Sequence, residues 1–248
     1  KVRHAITKLS DLHFVSTSKA LERVVKMGED RAKVYLTGCP SIDLAHEILL
    51  DGKLNFNPYE KYGGVGSKPD YKNGYLVVMQ HPVTTEYEAS REQVKKTLEA
   101  ISQLKIPTFW FWPNVDAGSG GTSNAIRSFR ENREVEHIHF FKNMTPFDFL
   151  RLLKNCLCLV GNSSVGIREC AYLGIPVVNI GTRQNGRERG QNVIDVTYRE
   201  EDIMAAISNH IDHGAYDQFS TYGNGSSGQK IADILAEAPL TFHKILSY

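Results

Sequence analysis

CLCLVGNSSVGIRECAYLGIPVVNI, residues 156–180, reads as strand, turn, helix and strand. The apolar run at 156–160 stops at Gly161-Asn162-Ser163-Ser164, and helical spacing then sets Ile167, Cys170, Ala171 and Leu173 toward one side until Gly174 ends the pattern. A second apolar run fills 175–180. The stretch is therefore a βαβ unit whose first loop leaves the carboxyl end of a strand, where open parallel sheets collect ligands. Ser163 or Ser164 suits the N-cap, and first-turn N–H groups with the positive end of the helix dipole suit a phosphate. Glu169 follows just over one turn later, placed to accept hydrogen bonds from a sugar's hydroxyl pair. A nucleotide diphosphate site fits these residues. So does an ordinary helix cap beside a solvated carboxylate, and spacing does not choose between them.

The same alternation extends outward on both sides. Upstream, strands are predicted at 13–17, 33–36, 75–80, 107–112 and 135–141, with helical patterns between them; downstream come a strand at 192–196 and a helix at 199–211. About seven strand candidates alternating with helices predict an α/β, Rossmann-like, doubly wound and mainly parallel sheet. Residues 1–12 read as a helix or connector and 226–248 as a terminal helix, with Ile231, Ile234, Leu235 and Leu240 on its apolar side. Residues 51–74, long, polar, aromatic and glycine-bearing, interrupt the rhythm and are expected to form a mobile loop or linker. Their GGVGSK lacks the spacing of a phosphate loop.

Several strand-end loops carry chemistry. His81 stands just past the strand at 75–80, although a loop histidine without a task would look the same. Asn114 and Asp116 follow the strand at 107–112, and singly such residues are turn formers. Arg183, Arg187 and Arg189 follow the strand at 175–180, where a guanidinium fork suits phosphate or simply faces water.

Composition narrows the partners. Lys and Arg number 29 against 28 acids in 248 residues, so no basic surplus argues for nucleic acid. No apolar run reaches membrane-spanning length, and the opening Lys-Val-Arg-His lacks a signal peptide's apolar core, which makes a cytoplasmic setting the default expectation. Cys39, Cys156, Cys158 and Cys170 form no CxxC pair and read as buried free thiols rather than zinc ligands or disulfides. No metal cluster is legible.

Taken together, RHAITKLS at 3–10, QHPVTT at 80–85, PNVDAG at 113–118, GNSSVGIRE at 161–169 and GTRQNGRE at 181–188 with Asn192-Val193 resemble the hydrolysing UDP-N-acetylglucosamine 2-epimerases of sialic-acid biosynthesis. These stretches occur in the family's order across most of the chain. The resemblance implies half of a glycosyltransferase-B type fold, in which two Rossmann-like domains enclose a cleft. Residues 1–248 would be the second, UDP-binding domain, with the N-terminal domain absent and no cofactor or metal required. Position by position, Ser163, Ser164 and Arg183 match the diphosphate contacts, Glu169 the ribose-binding carboxylate, His81 the catalytic histidine and Asn114 an asparagine beside the sugar. Met144, Thr145 and Phe147 match the uracil side less closely, because Lys142-Asn143-Met144-Thr145 is longer than the family's stretch before Pro-Phe.

The implied activity of the complete protein is elimination of UDP from UDP-N-acetylglucosamine and hydration of the glycal to N-acetylmannosamine, serving sialic-acid-type sugars and capsule polysaccharide. The fragment alone is expected to bind UDP with little or no turnover, and the complete protein to be a homo-oligomer that needs neither membrane nor nucleic acid. A UDP-N,N'-diacetylbacillosamine 2-epimerase of the legionaminic-acid route fits every motif equally. A retaining glycosyltransferase shares the fold but not QHPVTT and GTRQNGRE, and a non-catalytic binding module would keep only the nucleotide pocket.

Overall fold

Strands at 76–79, 108–111, 138–141, 158–161 and 177–180 are apolar on both faces because helices cover both sides of the sheet they build. The computed structural model describes residues 1–133, 135–239 and 244. Nine strands occur among them: β1 His13–Val15, β2 Val34–Leu36, β3 Val65–Gly66, β4 Leu76–Met79, β5 Thr108–Phe111, β6 Ile138–Phe141, β7 Cys158–Gly161, β8 Val177–Ile180 and β9 Val193–Val196. Seven form one sheet in the order β3-β6-β5-β4-β7-β8-β9, parallel except for β3, which pairs antiparallel with β6 at the edge. The six parallel strands thus run outward in both directions from the β4–β7 pair. This is the strand order of a Rossmann sheet, with its topological switch point between β4 and β7.

Period-two alternation sorts the side chains between the faces. Leu76, Val78, Trp110, Ile138, Phe140, Cys158, Val160, Val178 and Ile180 share a core with Val94, Leu98 and Ile101 of helix Ser90–Leu104, Ile126 and Phe129 of helix Ser119–Asn132, and Ile203 and Ile207 of helix Glu200–His213. On the alternate positions, Phe109, His139 and Phe141 pack around Tyr59. Tyr59 belongs to a short helix, Pro58–Tyr62, capped by Asn57 and started by Pro58. Residues 51–74 are therefore not a loose loop. Their aromatic residues cover one face of the sheet, and Val65–Gly66 supplies its antiparallel edge. Short elements of five and two residues leave no periodic trace in a sequence, so composition alone reads as loop.

The chain divides into two units, Ile48–Phe219, which contains the seven-stranded sheet, and Lys1–Glu47 with Ser220–Tyr248. Here too the structure corrects the sequence reading: β1 and β2 do not continue the large sheet but pair with each other in a separate parallel two-stranded sheet. A βα repeat looks the same whichever sheet it joins. Residues 2–9 form a helix, Val2–Leu9, and the terminal helix is Ser227–Glu237, with Asp43 accepting from the N–H groups of Ser227 (2.9 Å) and Gly228 (2.7 Å). Leu240, expected on that helix, lies outside the described residues.

Within the smaller unit, Glu29 is only 3% exposed and meets Lys8 at 3.0 Å, His13 at 3.0 Å and Lys244 at 2.6 Å. Burial alone would raise its carboxyl, but the hydrogen bonds from Lys244, Lys8 and His13 outweigh burial and hold it at about 2. Because the folded value is depressed, the stabilisation is present above the unfolded carboxylate's range near 4.5 and is lost as pH falls toward 2. Glu29→Ala is expected to cost about 2 kcal/mol, because charged hydrogen bonds are lost while the partly exposed Lys8 and Lys244 ammonium groups turn back to water. Urea unfolding at pH 7 reads this loss, and an unchanged midpoint would refute it.

Candidate functional site

The loops after β4, β5, β7 and β8 meet at the switch point, around one buried residue. β7 ends at Gly161 (φ 134°), and Asn162, 1% exposed, turns its amide toward the end of β4. Asn162 Oδ1 accepts from the His81 main-chain N–H at 2.7 Å, while Asn162 Nδ2 donates to the His81 carbonyl at 2.8 Å. An amide that donates and accepts in this way continues the strand ladder by one side chain, after both strands have ended. The Asn162 main chain serves the other arm: its carbonyl accepts from Arg183 Nη1 at 3.1 Å and from buried Gln184 Nε2 at 2.7 Å.

His81 is half-buried, and its Nδ1 accepts the main-chain N–H of Asn114 at 3.2 Å. A main-chain N–H can only donate, so in the neutral ring Nε2 carries the hydrogen. Burial, reinforced by the Arg183 charge, pulls the imidazole down to about 4, against a smaller opposing effect of Asp116. At neutral pH His81 is an uncharged ring with Nε2–H as its donor. Asn114 in turn donates from Nδ2 to Asp116 Oδ2 at 2.6 Å, and Arg183 Nη2 lies 3.6 Å from the same carboxylate oxygen. The loops after β4 and β8 are tied a second time, by a hydrogen bond from Thr182 to Glu86.

Beyond Asn162 the chain forms two short helical segments, Ser164–Ile167 and Glu169–Leu173, broken at Arg168 (φ −109°, ψ −73°). The sequence pattern predicts one continuous helix. Apolar spacing cannot register a break that leaves every apolar residue buried. Ser163, not Ser164, is the N-cap, its Oγ accepting from Val165 N–H at 3.5 Å. Arg168 Nη2 bridges Ser164 Oγ and Glu169 Oε1, both at 3.3 Å, which puts the serine turn and the carboxylate of Glu169 in one polar group. Of the three loop arginines, Arg189 is a brace, bonded to Asp195, the Arg187 carbonyl and the Gln184 carbonyl.

Met144, Thr145 and Phe147 follow β6 and form a second group. The Met144 side chain is buried, its N–H is held by Asn143 Oδ1 at 2.9 Å, and Phe147 is 36% exposed. Thr145 Oγ1 lies 3.0 Å from the hydroxyl of Tyr62, which also hydrogen-bonds Asp148; Lys61 Nζ reaches Asp148 at 2.6 Å. Tyr62, Asp148, Asn162 and Gln184 escape a reading of motifs because each acts on a residue far away in the chain. For Asn162 the separation is 81 residues. The signal that was present is a polar residue set between a strand-ending glycine and a capping serine.

Among the described residues no group of three or more His, Cys, Asp or Glu is arranged to hold a metal ion, and no helix is long and apolar enough to cross a membrane. Cys158 and Cys170 are buried and Cys39 and Cys156 half-buried; burial pushes the Cys158 thiol up to about 12.

Comparison with known proteins is consistent across sequence and structure. The family described as UDP-N-acetylglucosamine 2-epimerase matches residues 1–236. A UDP-N,N'-diacetylbacillosamine 2-epimerase (hydrolyzing) of Legionella pneumophila is 30% identical over 239 residues, covering 96% of this chain and 61% of that protein. A UDP-N-acetylglucosamine 2-epimerase of Neisseria meningitidis is 29% identical over 237 residues, with 94% and 60% covered. The chain thus spans about three-fifths of the length of these relatives. Among solved structures, the UDP-GlcNAc 2-epimerase of Methanocaldococcus jannaschii in complex with UDP-GlcNAc and UDP superposes with a TM-score of 0.68 at 17% identity, covering 93% of this chain and 62% of that one. At that identity the likeness establishes the shared fold.

Proposed function

The chain belongs to the UDP-N-acetylglucosamine 2-epimerase family, and from that premise we propose that it is the UDP-binding, C-terminal part of a hydrolysing enzyme that converts UDP-N-acetylglucosamine to N-acetylmannosamine and UDP. The observation that carries this reading is the convergence on Asn162 of three strand-end loops, holding His81, Arg183 and the Ser163-Ser164 turn, with Asn114 joined through His81. In the proposed assignment Ser163, Ser164 and Arg183 receive the diphosphate and Glu169 the ribose hydroxyls. Asn114 lies on the sugar side, and Met144, Thr145 and Phe147 toward the uracil.

The chemistry asked of such a site is charge stabilisation and proton transfer. A base removes the C2 proton, the C1–O bond breaks, UDP departs and a glycal remains. Water then adds across the double bond with C2 inverted. Departing UDP gains negative charge, and the cation of Arg183 and the two serine hydroxyls are donors suited to it, while His81 Nε2–H is suited to charge that develops only in the transition state. The base that takes the C2 proton is assigned to a preceding domain, in line with the relatives' greater length.

Calorimetric titration of UDP into this chain, with Ser164→Ala beside it, tests the nucleotide site. Saturable binding is expected, weakened about tenfold by the substitution, the loss of one hydrogen bond to a charged group. Failure of a folded sample to bind would mean that this part does not hold a self-sufficient site. The second reading, UDP-N,N'-diacetylbacillosamine as substrate, draws support from the name of the Legionella relative. Feeding both sugars to the full-length protein separates the two by which 2-epimer appears.

A further inference from the structure

Asn162 stands apart from the residues that would touch a ligand. It is 1% exposed, and both polar atoms of its amide are engaged by the main chain of His81. We propose that the Asn162 side chain is a positioning residue for His81, dedicated to the arm of the site that presents the imidazole Nε2–H and not to nucleotide binding. The inference rests on the functional reading above and adds a division of labour to it.

Three observations carry it. First, β4 and β7 have both ended before His81 and Asn162, so the ladder no longer fixes the histidine's main chain, and the reciprocal amide bonds at 2.7 and 2.8 Å replace it. Second, the imidazole is anchored at one ring atom, Nδ1, by a main-chain N–H of the loop after β5. Its remaining orientation is inherited from the His81 backbone, and therefore from Asn162. Third, the link from Asn162 to the anion-binding arm runs through its main-chain carbonyl, which accepts from Arg183 and Gln184. A side-chain substitution keeps that carbonyl. The two arms are thus separable by mutation although they meet at one residue.

Only an amide of this length satisfies both His81 groups. An aspartate side chain would have the same shape but no donor for the His81 carbonyl, and would set a carboxylate against it. The test uses Asn162→Asp and, as a smaller change, Asn162→Ser in the full-length protein. Turnover of UDP-N-acetylglucosamine and calorimetric UDP affinity are measured on samples whose thermal melts show a folded state. Expected are a fall in kcat of about 30- to 100-fold, at or below the low end of what losing one preorganised hydrogen-bond donor outright costs, and a UDP Kd within about threefold of the parent. Should the aspartate variant fail to fold, the serine variant carries the same comparison.

A double-mutant cycle with His81→Ala adds a readout that a purely structural role would not move. If Asn162 acts through the histidine, Asn162→Asp lowers the residual His81→Ala rate little or not at all. Where that residual rate is too small to read, the split between kcat and Kd decides alone. Parallel loss of UDP affinity and turnover, or additive losses in the cycle, would overturn the inference. Absence of UDP binding and turnover in the parent protein would instead strike the functional reading, which keeps the two failures distinct.

Discussion

His81→Ala in the full-length protein is expected to lower the rate of UDP release from UDP-N-acetylglucosamine by about a thousandfold, the upper end of what losing one preorganised hydrogen-bond donor costs, while UDP affinity changes less than about threefold. The expectation follows from where the ring is held. Its Nδ1 is occupied by Asn114 N–H, which leaves Nε2–H as the free donor, and the proposed phosphate-side donors Arg183, Ser163 and Ser164 come from other loops. Removing the imidazole takes away a neutral hydrogen-bond donor without dismantling the proposed anion site. The pH profile checks the same claim independently. With the folded imidazole at about 4, its charge does not change between about pH 5.5 and 8, so kcat/KM should show no acid limb near the ordinary histidine value. For stability the sign is that of a histidine kept neutral: the unfolded state binds more protons, and stability falls as pH drops from 6.5 toward 4. A histidine limb near 6.5 that disappears in His81→Ala would contradict the assigned protonation state. Turnover that survives the substitution would remove His81 from the chemistry altogether.

The centre of the large sheet, β4 to β8, was legible in the sequence because those strands are buried on both faces. Runs such as Cys-Leu-Val-Gly and Val-Val-Asn-Ile announce themselves by continuous apolarity, and the alternation with helices gives the parallel, doubly wound class. What could not be read is anything decided by distant partners. Strand order is such a property: β4, β5, β6 and β7 follow one another along the chain, but β7 pairs with β4, and only that pairing brings His81 beside Asn162. The separate β1–β2 sheet and the aromatic cover from residues 51–74 were hidden for the same reason. At the site, residue types that stand out in a loop were found individually. Histidine, arginine and paired serines at strand ends are conspicuous as residue types, whereas an asparagine after a strand looks like any turn former until its hydrogen bonds are known. Arg189 shows the converse, a conspicuous charge that proves to brace its own loop.

Gly161→Ala should be the most damaging single-methyl change in the sheet, costing about 3–5 kcal/mol from a strained backbone and an unavoidable clash together. Gly161 holds φ at 134°, which side-chain-bearing residues rarely adopt, and an added Cβ would stand 2.2 Å from the Met79 carbonyl oxygen and 2.6 Å from its carbon. Those atoms are main chain of β4, the strand that Gly161 faces in register, so no side chain can swing away to make room. The only relief is to part β4 from β7 at their carboxyl ends. Gly186→Ala supplies the control: its φ is also positive, at 77°, but a Cβ there meets nothing within 4 Å, so backbone strain alone remains, about 1 kcal/mol. In thermal melts Gly161→Ala is expected to lower Tm by about 10–15 °C and Gly186→Ala by only a few degrees. Equal losses in the two variants would mean that the β4–β7 approach is not tight. Parting the strands would also draw Asn162 off the His81 main chain, so any Gly161→Ala protein that still folds should lose turnover before it loses UDP, because Arg183 and the serine turn travel with β7 and β8 while His81 stays with β4.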